Sequence, residues 1–205
     1  MARIVVFDVG NVLISWDPHA PYRAHFPDEA AIAAFLEEIG FYAWNLENDR
    51  GRPWDQAVAE LSAEFPHRAE LIALAHREWA STVTGPIAGT VEILRRLKAA
   101  GVPVYAITNF SPEKWRESVA RFDFLREGFL DVVVSGDEKL VKPDLRIYET
   151  LLKRNGLKAE DCVFIDDSLP NVEGARAAGM KAIHFQNPEA LARELQALGF
   201  AAAAA

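Results

Sequence analysis

Apolar positions along the chain fall into two textures. Residues 1–14, and everything from about 87 onward, alternate short apolar runs with stretches at helical spacing. Ile4-Val5-Val6-Phe7 is the first run, β-branched and aromatic without alternation, as expected of a strand covered on both faces. Residues 102–107, 131–135, 162–165 and 181–185 read the same way, each entered from a Gly- or charge-marked turn. Between them Val91, Leu94 and Leu97 mark a helix ending at Gly101. Ile147, Leu151 and Leu152 mark one ending near Gly156, and Val172, Ala175 and Ala178 one closed by Gly179. Helix, glycine and strand in repetition predict an α/β fold with a doubly wound parallel sheet.

The block 15–85 has a different pattern. Ile32, Phe35, Leu36 and Ile39 share a helical face, as do Val58, Leu61 and Phe65, and then Leu71, Leu74 and Ala75. Gly40, Pro53 and Pro66 break these helices, and the pattern predicts no strand. The expected organisation is a core made of 1–14 and 86–200, an all-helical cap over 15–85, and an alanine tail at 201–205 for which no place in the fold is predicted. An insertion straight after the first strand lies above the sheet end where that strand finishes.

Composition narrows the function classes. Half of the 205 residues are hydrophobic and a quarter charged, as in an ordinary soluble globular protein. A net charge of −8 argues against broad nucleic-acid or anionic-membrane binding. No apolar run approaches the ~20 residues that span a bilayer, and the N-terminus lacks the pattern of a secretory leader. Cys162 is the single cysteine, so no intrachain disulfide is expected, and a reducing, cytoplasmic setting is compatible. The five histidines have no ligand spacing, which argues against zinc. The expected partner is a small-molecule substrate, with the chain as monomer or homodimer.

Chemistry collects at four strand or loop ends. Asp8 closes the first strand, ahead of Val9-Gly10-Asn11. Thr108-Asn109 closes the second, where a hydroxyl and free N–H groups would bind an anionic oxygen, while Ser111-Pro112 reads as a helix start. Lys142 precedes Pro143, which stiffens its backbone, and a fixed ammonium there would balance a carboxylate and a bound anion. Asp166-Asp167 ends another apolar strand, and two adjacent carboxylates call for a neutralising cation, Mg²⁺ above all.

In this order the four sites resemble the haloacid dehalogenase-like (HAD) superfamily, over nearly the whole chain. The resemblance implies a HAD-like Rossmannoid core with a C1-type helical cap. Asp-x-Gly-Asn-Val is similar to a sugar-phosphate phosphatase-like branch. It further implies Asp8 as a nucleophile that forms an aspartyl intermediate, with Thr108 and the Asn109 backbone on the substrate oxygens. Lys142 would neutralise the nucleophile and the transferring group. Mg²⁺ would be held by Asp8, the Gly10 carbonyl, Asp167, and Asp166 directly or through water. In the cap segment 41–52, Arg50 or Arg52 would bind a substrate anion and Trp44 would stack on substrate, whereas Trp54 and Trp79 are assigned to helix packing.

One position departs from the family. Its phosphatases usually carry a general acid two residues after the nucleophile, where this chain has Gly10, and Asp17 at the cap hinge is a possible substitute. A 2-haloacid dehalogenase would not need that acid, because halide leaves unprotonated, and Lys142 with Tyr148 fits its pattern. Such an enzyme needs no metal, however, and would have to tolerate Asp166-Asp167 unpaired. The expectation is therefore a Mg²⁺-dependent phosphatase acting on a sugar phosphate or similar phosphomonoester. A dehalogenase is the alternative, and a non-catalytic binding protein on the same fold the third reading.

Overall fold

The computed structural model describes residues 3–204; Met1, Ala2 and Ala205 lie outside it. Strand β1 (Ile4–Phe7) leads the chain. Next come β2 (Ile14–Trp16) and β3 (Val83–Pro86), which pair antiparallel with each other. Then follow β4 (Val104–Thr108), β5 (Val132–Val134), β6 (Cys162–Asp166) and β7 (Lys181–His184). The main sheet runs β5-β4-β1-β6-β7, and every pair in it is parallel.

Alternation within the strands separates two dry faces. Val5, Phe7, Ala106, Val163 and Ile165 belong to one hydrophobic cluster, and Val6, Tyr105, Ile107 and Phe164 to the other. Burying a side chain of this size contributes roughly 1.5–3 kcal/mol, which favours keeping the central strands covered on both sides. From β1 the chain steps out through β4 to β5, then returns to the opposite side of β1 for β6 and β7. That reversal opens a crevice at the carboxyl ends of β1, β4 and β6.

Helices cover the sheet as the periodicity predicts. Five lie between β2 and β3: α1 (Glu29–Glu38), α2 (Phe41–Asp49), α3 (Trp54–Glu64), α4 (Ala69–Arg77) and α5 (Trp79–Thr82). The rest are α6 (Ala88–Ala99), α7 (Pro112–Arg121), α8 (Asp123–Glu127), α9 (Ser135–Glu138), α10 (Leu145–Asn155), α11 (Leu169–Ala177) and α12 (Pro188–Ala197). Helix α10 stops because Gly156 takes a left-handed φ of 62° and donates back to the Leu152 and Lys153 carbonyls. Ile32, Phe35 and Leu36 of α1, with Ile72 and Ala75 of α4, join the same cluster as Phe7 and Val9. Apolar packing is thus continuous from the sheet into the inserted helices.

Two expectations are corrected. All five core strands are present, but β4 begins at Val104, after Pro103, which has no N–H to donate, and β4 and β6 run on to Thr108 and Asp166. These two polar residues therefore stand on the sheet itself. Block 15–85 was expected to hold no strand, yet Ser15 and Trp16 of β2 and residues 83–85 of β3 lie in it, bringing the ends of the insertion together. A three-residue strand with an irregularity between Ser15 and Trp16 is too short to leave an alternating pattern. The alanine run also takes part in the fold: residues 201–204 form a 3₁₀ turn against α6 and α12, with Ala203 in the core. No helix among the described residues is long and apolar enough to cross a membrane.

Candidate active site

Register brings the strand ends together. Phe7 lies level with Ala106 of β4 and Ile165 of β6, so Asp8 emerges beside Asp166 and close to Thr108. The Asp8 N–H donates to the Ile165 carbonyl at 2.8 Å, which keeps Asp8 tied to the sheet. Its carboxylate is 2.8 Å from Lys142 Nζ, and the same ammonium lies 2.6 Å from Asp166 Oδ2. All three residues are buried.

Lys142 is held from both ends. Asn109 accepts from the Lys142 backbone N–H at 2.8 Å and donates to the Lys142 carbonyl at 3.1 Å. The Lys142–Pro143 peptide bond is cis. Burial pulls the ammonium pKa down, but Asp166 and Asp8 outweigh this and hold it above the ordinary lysine value. Burial is also the main influence on Asp8, joined by the charge of Asp166. Against the pull of Lys142 they raise its carboxyl well above the usual range. Burial and Asp166 likewise raise Asp167.

One ammonium therefore faces three carboxylates. Asp8, Asp166 and Asp167 can each offer an oxygen within 4.8 Å of the others. Asp166 is the most engaged of the three. Besides Lys142 it accepts from the Ser168 N–H at 2.8 Å and from Asn171 Nδ2 at 3.1 and 3.2 Å. Two carboxylate oxygens have about four lone-pair sites. Asp166 is thus engaged by donors of the protein itself, while Asp8 and Asp167 face the cleft. Thr108 is buried, and its Oγ1 has no hydrogen-bond partner among the described residues. An orphaned buried hydroxyl costs about 1–3 kcal/mol, a cost that an anionic oxygen accepting its proton would remove.

Asp8, Gly10 and Asp167 line a cavity of about 260 Å³ between the sheet end and the inserted helices. Its walls include Trp16, Tyr42, Leu46, Trp54, Trp79 and Phe110. Trp54 and Trp79 pack against helices as expected, but they also form the wall. Trp54 Nε1 donates to Ser111 Oγ at 2.8 Å, and Trp79 meets Phe110 edge-on at 5.7 Å. Lys114 lies beneath, with Nζ 5.5 and 5.4 Å from the two indole rings.

Two expected substrate contacts are corrected. Trp44 turns into the insertion's own core, where Nε1 donates to the Ala57 carbonyl at 3.0 Å. Arg50 turns outward to Glu47, and neither residue lines the cavity. Arg52 is bound to the Trp44 carbonyl and Asn48. Asp17 is taken by Arg23 at 2.7 Å and also lies outside the cavity wall. Sequence reasoning passed over Asp49, the last residue of α2, which does line it. The available signal was its spacing four residues after Asn45, whose Nδ2 donates to it at 3.0 Å.

Residues 2–179 match the family of haloacid dehalogenase-like hydrolases. The chain is 29% identical to a sesquiterpene phosphatase of Aspergillus oryzae over 96% of each chain. It is 31% identical to a phosphatase of Mycobacterium tuberculosis, over 95% of this chain and 94% of the relative. Two other relatives are longer proteins, of which it spans 36% and 19%. Among solved structures it resembles a HAD family enzyme of Bacteroides thetaiotaomicron, in complex with magnesium and inorganic phosphate. That match has a TM-score of 0.72 at 18% identity, over 91% of this chain and 96% of the other, a likeness of fold.

Proposed function

The chain belongs to the haloacid dehalogenase-like hydrolases, and on that premise we propose a Mg²⁺-dependent phosphatase acting on a small phosphomonoester through an aspartyl-phosphate on Asp8. The observation that carries this reading is the charge count at the strand ends, three carboxylates to one buried ammonium. Halide displacement at carbon needs the Asp8–Lys142 pair and gives Asp167 nothing to do. Similarity to two phosphatases supports the same choice.

The residues fit a hard divalent cation. Asp8 and Asp167 offer oxygen donors towards the cleft; burial first and the neighbouring Asp166 charge second hold both carboxyls above their usual range, and a cation would offset the charge part of that effect. These two, with the Gly10 carbonyl, would hold Mg²⁺, which when bound supplies positive charge to the phosphoryl oxygens. Lys142 neutralises the nucleophile and a phosphoryl oxygen, and the Thr108 hydroxyl donates to another. Asp8 attacks phosphorus in line with the leaving oxygen, and water later cleaves the acyl phosphate. The aromatic wall keeps bulk water from the intermediate. It suits a phosphomonoester with a compact, largely apolar body, in line with the sesquiterpene phosphatase, alongside sugar phosphates.

The test is a panel of sugar monophosphates, prenyl monophosphates and 2-chloropropionate. Phosphate release is expected to stop with a chelator and return with Mg²⁺, and Asp8→Asn to abolish turnover with the circular dichroism spectrum intact. Chelator-resistant chloride release overturns the reading in favour of a dehalogenase. No hydrolysis across the panel overturns it in favour of a binding protein.

A further inference from the structure

We propose that Asp49, carried on the helical insertion, is the general acid and base of the reaction, in the role that Gly10 leaves open. The inference rests on the phosphatase reading, because only an alkoxide leaving group requires it.

Geometry carries the argument. Asp49 lines the same cavity as Asp8, Gly10 and Asp167, reaching it from α2 on the side facing the sheet end. It is fixed there by the core as well as by its own helix. The Asn45 amide donates to Oδ2 at 3.0 Å, and the Ser111 backbone N–H faces its carboxyl group. Ser135 Oγ donates to its backbone carbonyl at 2.5 Å, and Lys139 Nζ to the Gly51 carbonyl at 3.1 Å. Gly51 has a φ of 98°, and a Cβ on it would stand 2.4 Å from the Gly136 carbonyl, so the turn after Asp49 lies flush on the core.

No other titratable group on the cavity wall is free for the task. Asp8 is the nucleophile, Asp167 belongs to the acidic group, Lys114 is paired with Glu117 at 2.7 Å, and Tyr42 is mostly exposed. Among the described residues Asp49 forms no ion pair. Around it, Arg50 and Arg52 turn to Glu47 and Glu60, Glu138 of α9 to Arg154, and Asp137 and Asp55 face solvent. Lys142 is the one charge that reaches it, and with the Ser111 N–H it opposes the effect of burial, which pushes the Asp49 pKa up to about 7. The protonated form is therefore available at neutral pH.

In the first step an Asp8 oxygen bonds to phosphorus while the phosphorus–oxygen bond to the alcohol breaks. The leaving oxygen keeps that electron pair and takes the Asp49 proton, leaving free alcohol and an Asp49 carboxylate. In the second, water bonds to phosphorus, Asp49 takes a water proton, and the phosphorus–Asp8 bond breaks. Inorganic phosphate leaves, with Asp8 and protonated Asp49 restored.

The test compares an alkyl phosphate with p-nitrophenyl phosphate, whose phenolate leaves without protonation. Asp49→Asn keeps an oxygen for the Asn45 and Ser111 donors. It is expected to lower the alkyl-to-aryl ratio of kcat/KM by about 100-fold or more, within the range of general acid catalysis. The wild-type loss of alkyl activity above about pH 7 is expected to vanish in this variant. A Cβ at Gly10 meets nothing within 4 Å, so Gly10→Asp has room to supply the acid and is expected to restore much of the ratio in the double variant. An unchanged ratio, or equal losses on both substrates with the pH limb retained, overturns the proposal. A wild-type protein that cleaves neither ester overturns the phosphatase reading instead.

Discussion

Replacing Lys142 with methionine tests whether the strand-end carboxylates depend on its charge. The ammonium lies 2.8 Å from Asp8 and 2.6 Å from Asp166 in a buried setting, and methionine keeps much of the stem volume. At an effective dielectric of 20, each contact contributes roughly 6 kcal/mol of Coulomb attraction, much of it offset by the lysine's own desolvation. Removing one partner of a buried pair costs about 3–5 kcal/mol net, because the remaining charges are left uncompensated. With a urea slope of about 2–3 kcal/mol/M, the midpoint should fall by roughly 1–2 M at pH 7 in chelator. The sign with pH follows from Asp8, whose carboxyl pKa is raised in the folded protein. Such a group contributes stability fully below its unfolded pKa and loses it as the pH rises through the folded value. Lys142 limits that loss, so the variant's penalty should be largest at neutral pH and shrink towards pH 4. Urea titrations of both proteins at the two pH values read this directly. A wild-type midpoint at pH 7, or an equal penalty at both, would refute the electrostatic role and leave only packing.

Two further outcomes are expected. Gly51→Ala forces a Cβ against the Gly136 carbonyl at a φ of 98°; it should cost about 1–3 kcal/mol in urea unfolding and, by displacing Asp49, about tenfold or more in kcat/KM on an alkyl phosphate. Asp144 caps α10 by accepting from the Arg146 N–H at 3.0 Å, and Arg146 holds its carboxyl at about 2. Asp144→Ala should therefore cost about 1 kcal/mol at neutral pH, a penalty that fades as the pH falls from about 4 towards 2 and Asp144 protonates in the wild-type protein.

Most of the sheet was legible because its strands are buried on both faces. Runs such as Ile4–Phe7 and Cys162–Asp166 carry no polar residue until the strand end, and that first polar residue is where the proposed chemistry stands. Asp8, Thr108 and Asp166-Asp167 could be picked out for this reason and register then brings them together, while Lys142 was marked by the proline after it and is brought in by Asn109. The insertion was legible only as helices. Its wall residues depend on which way each helix is rolled, and α2 is apolar on more than one side. Trp44 was expected on the substrate and Trp54 in helix packing, yet Trp44 bonds Ala57 within the insertion and Trp54 bonds Ser111 across the cavity. Arg50 was the more conspicuous residue because charges in loops suggest anions, while Asp49 beside it carried no comparable signal. Only the packing of Gly51 on Gly136 shows that Asp49 is the one turned inward.

That packing divides the labour between two parts of the chain. In the proposed reaction the nucleophile Asp8 and the ammonium of Lys142 are held by β1, β6 and the Asn109 clamp, none of which belongs to the insertion. The acid is fixed by contacts across the seam: Ser135 on the Asp49 carbonyl, Gly51 against Gly136, and Trp54 on Ser111. Attack on phosphorus needs only the first set, whereas departure of an alkoxide needs both. Weakening the seam should therefore fall chiefly on substrates with poor leaving groups, while damage at Lys142 should fall on all of them alike. Leaving-group dependence thus separates the sheet's contribution from that of the insertion, which a single rate on one substrate would merge.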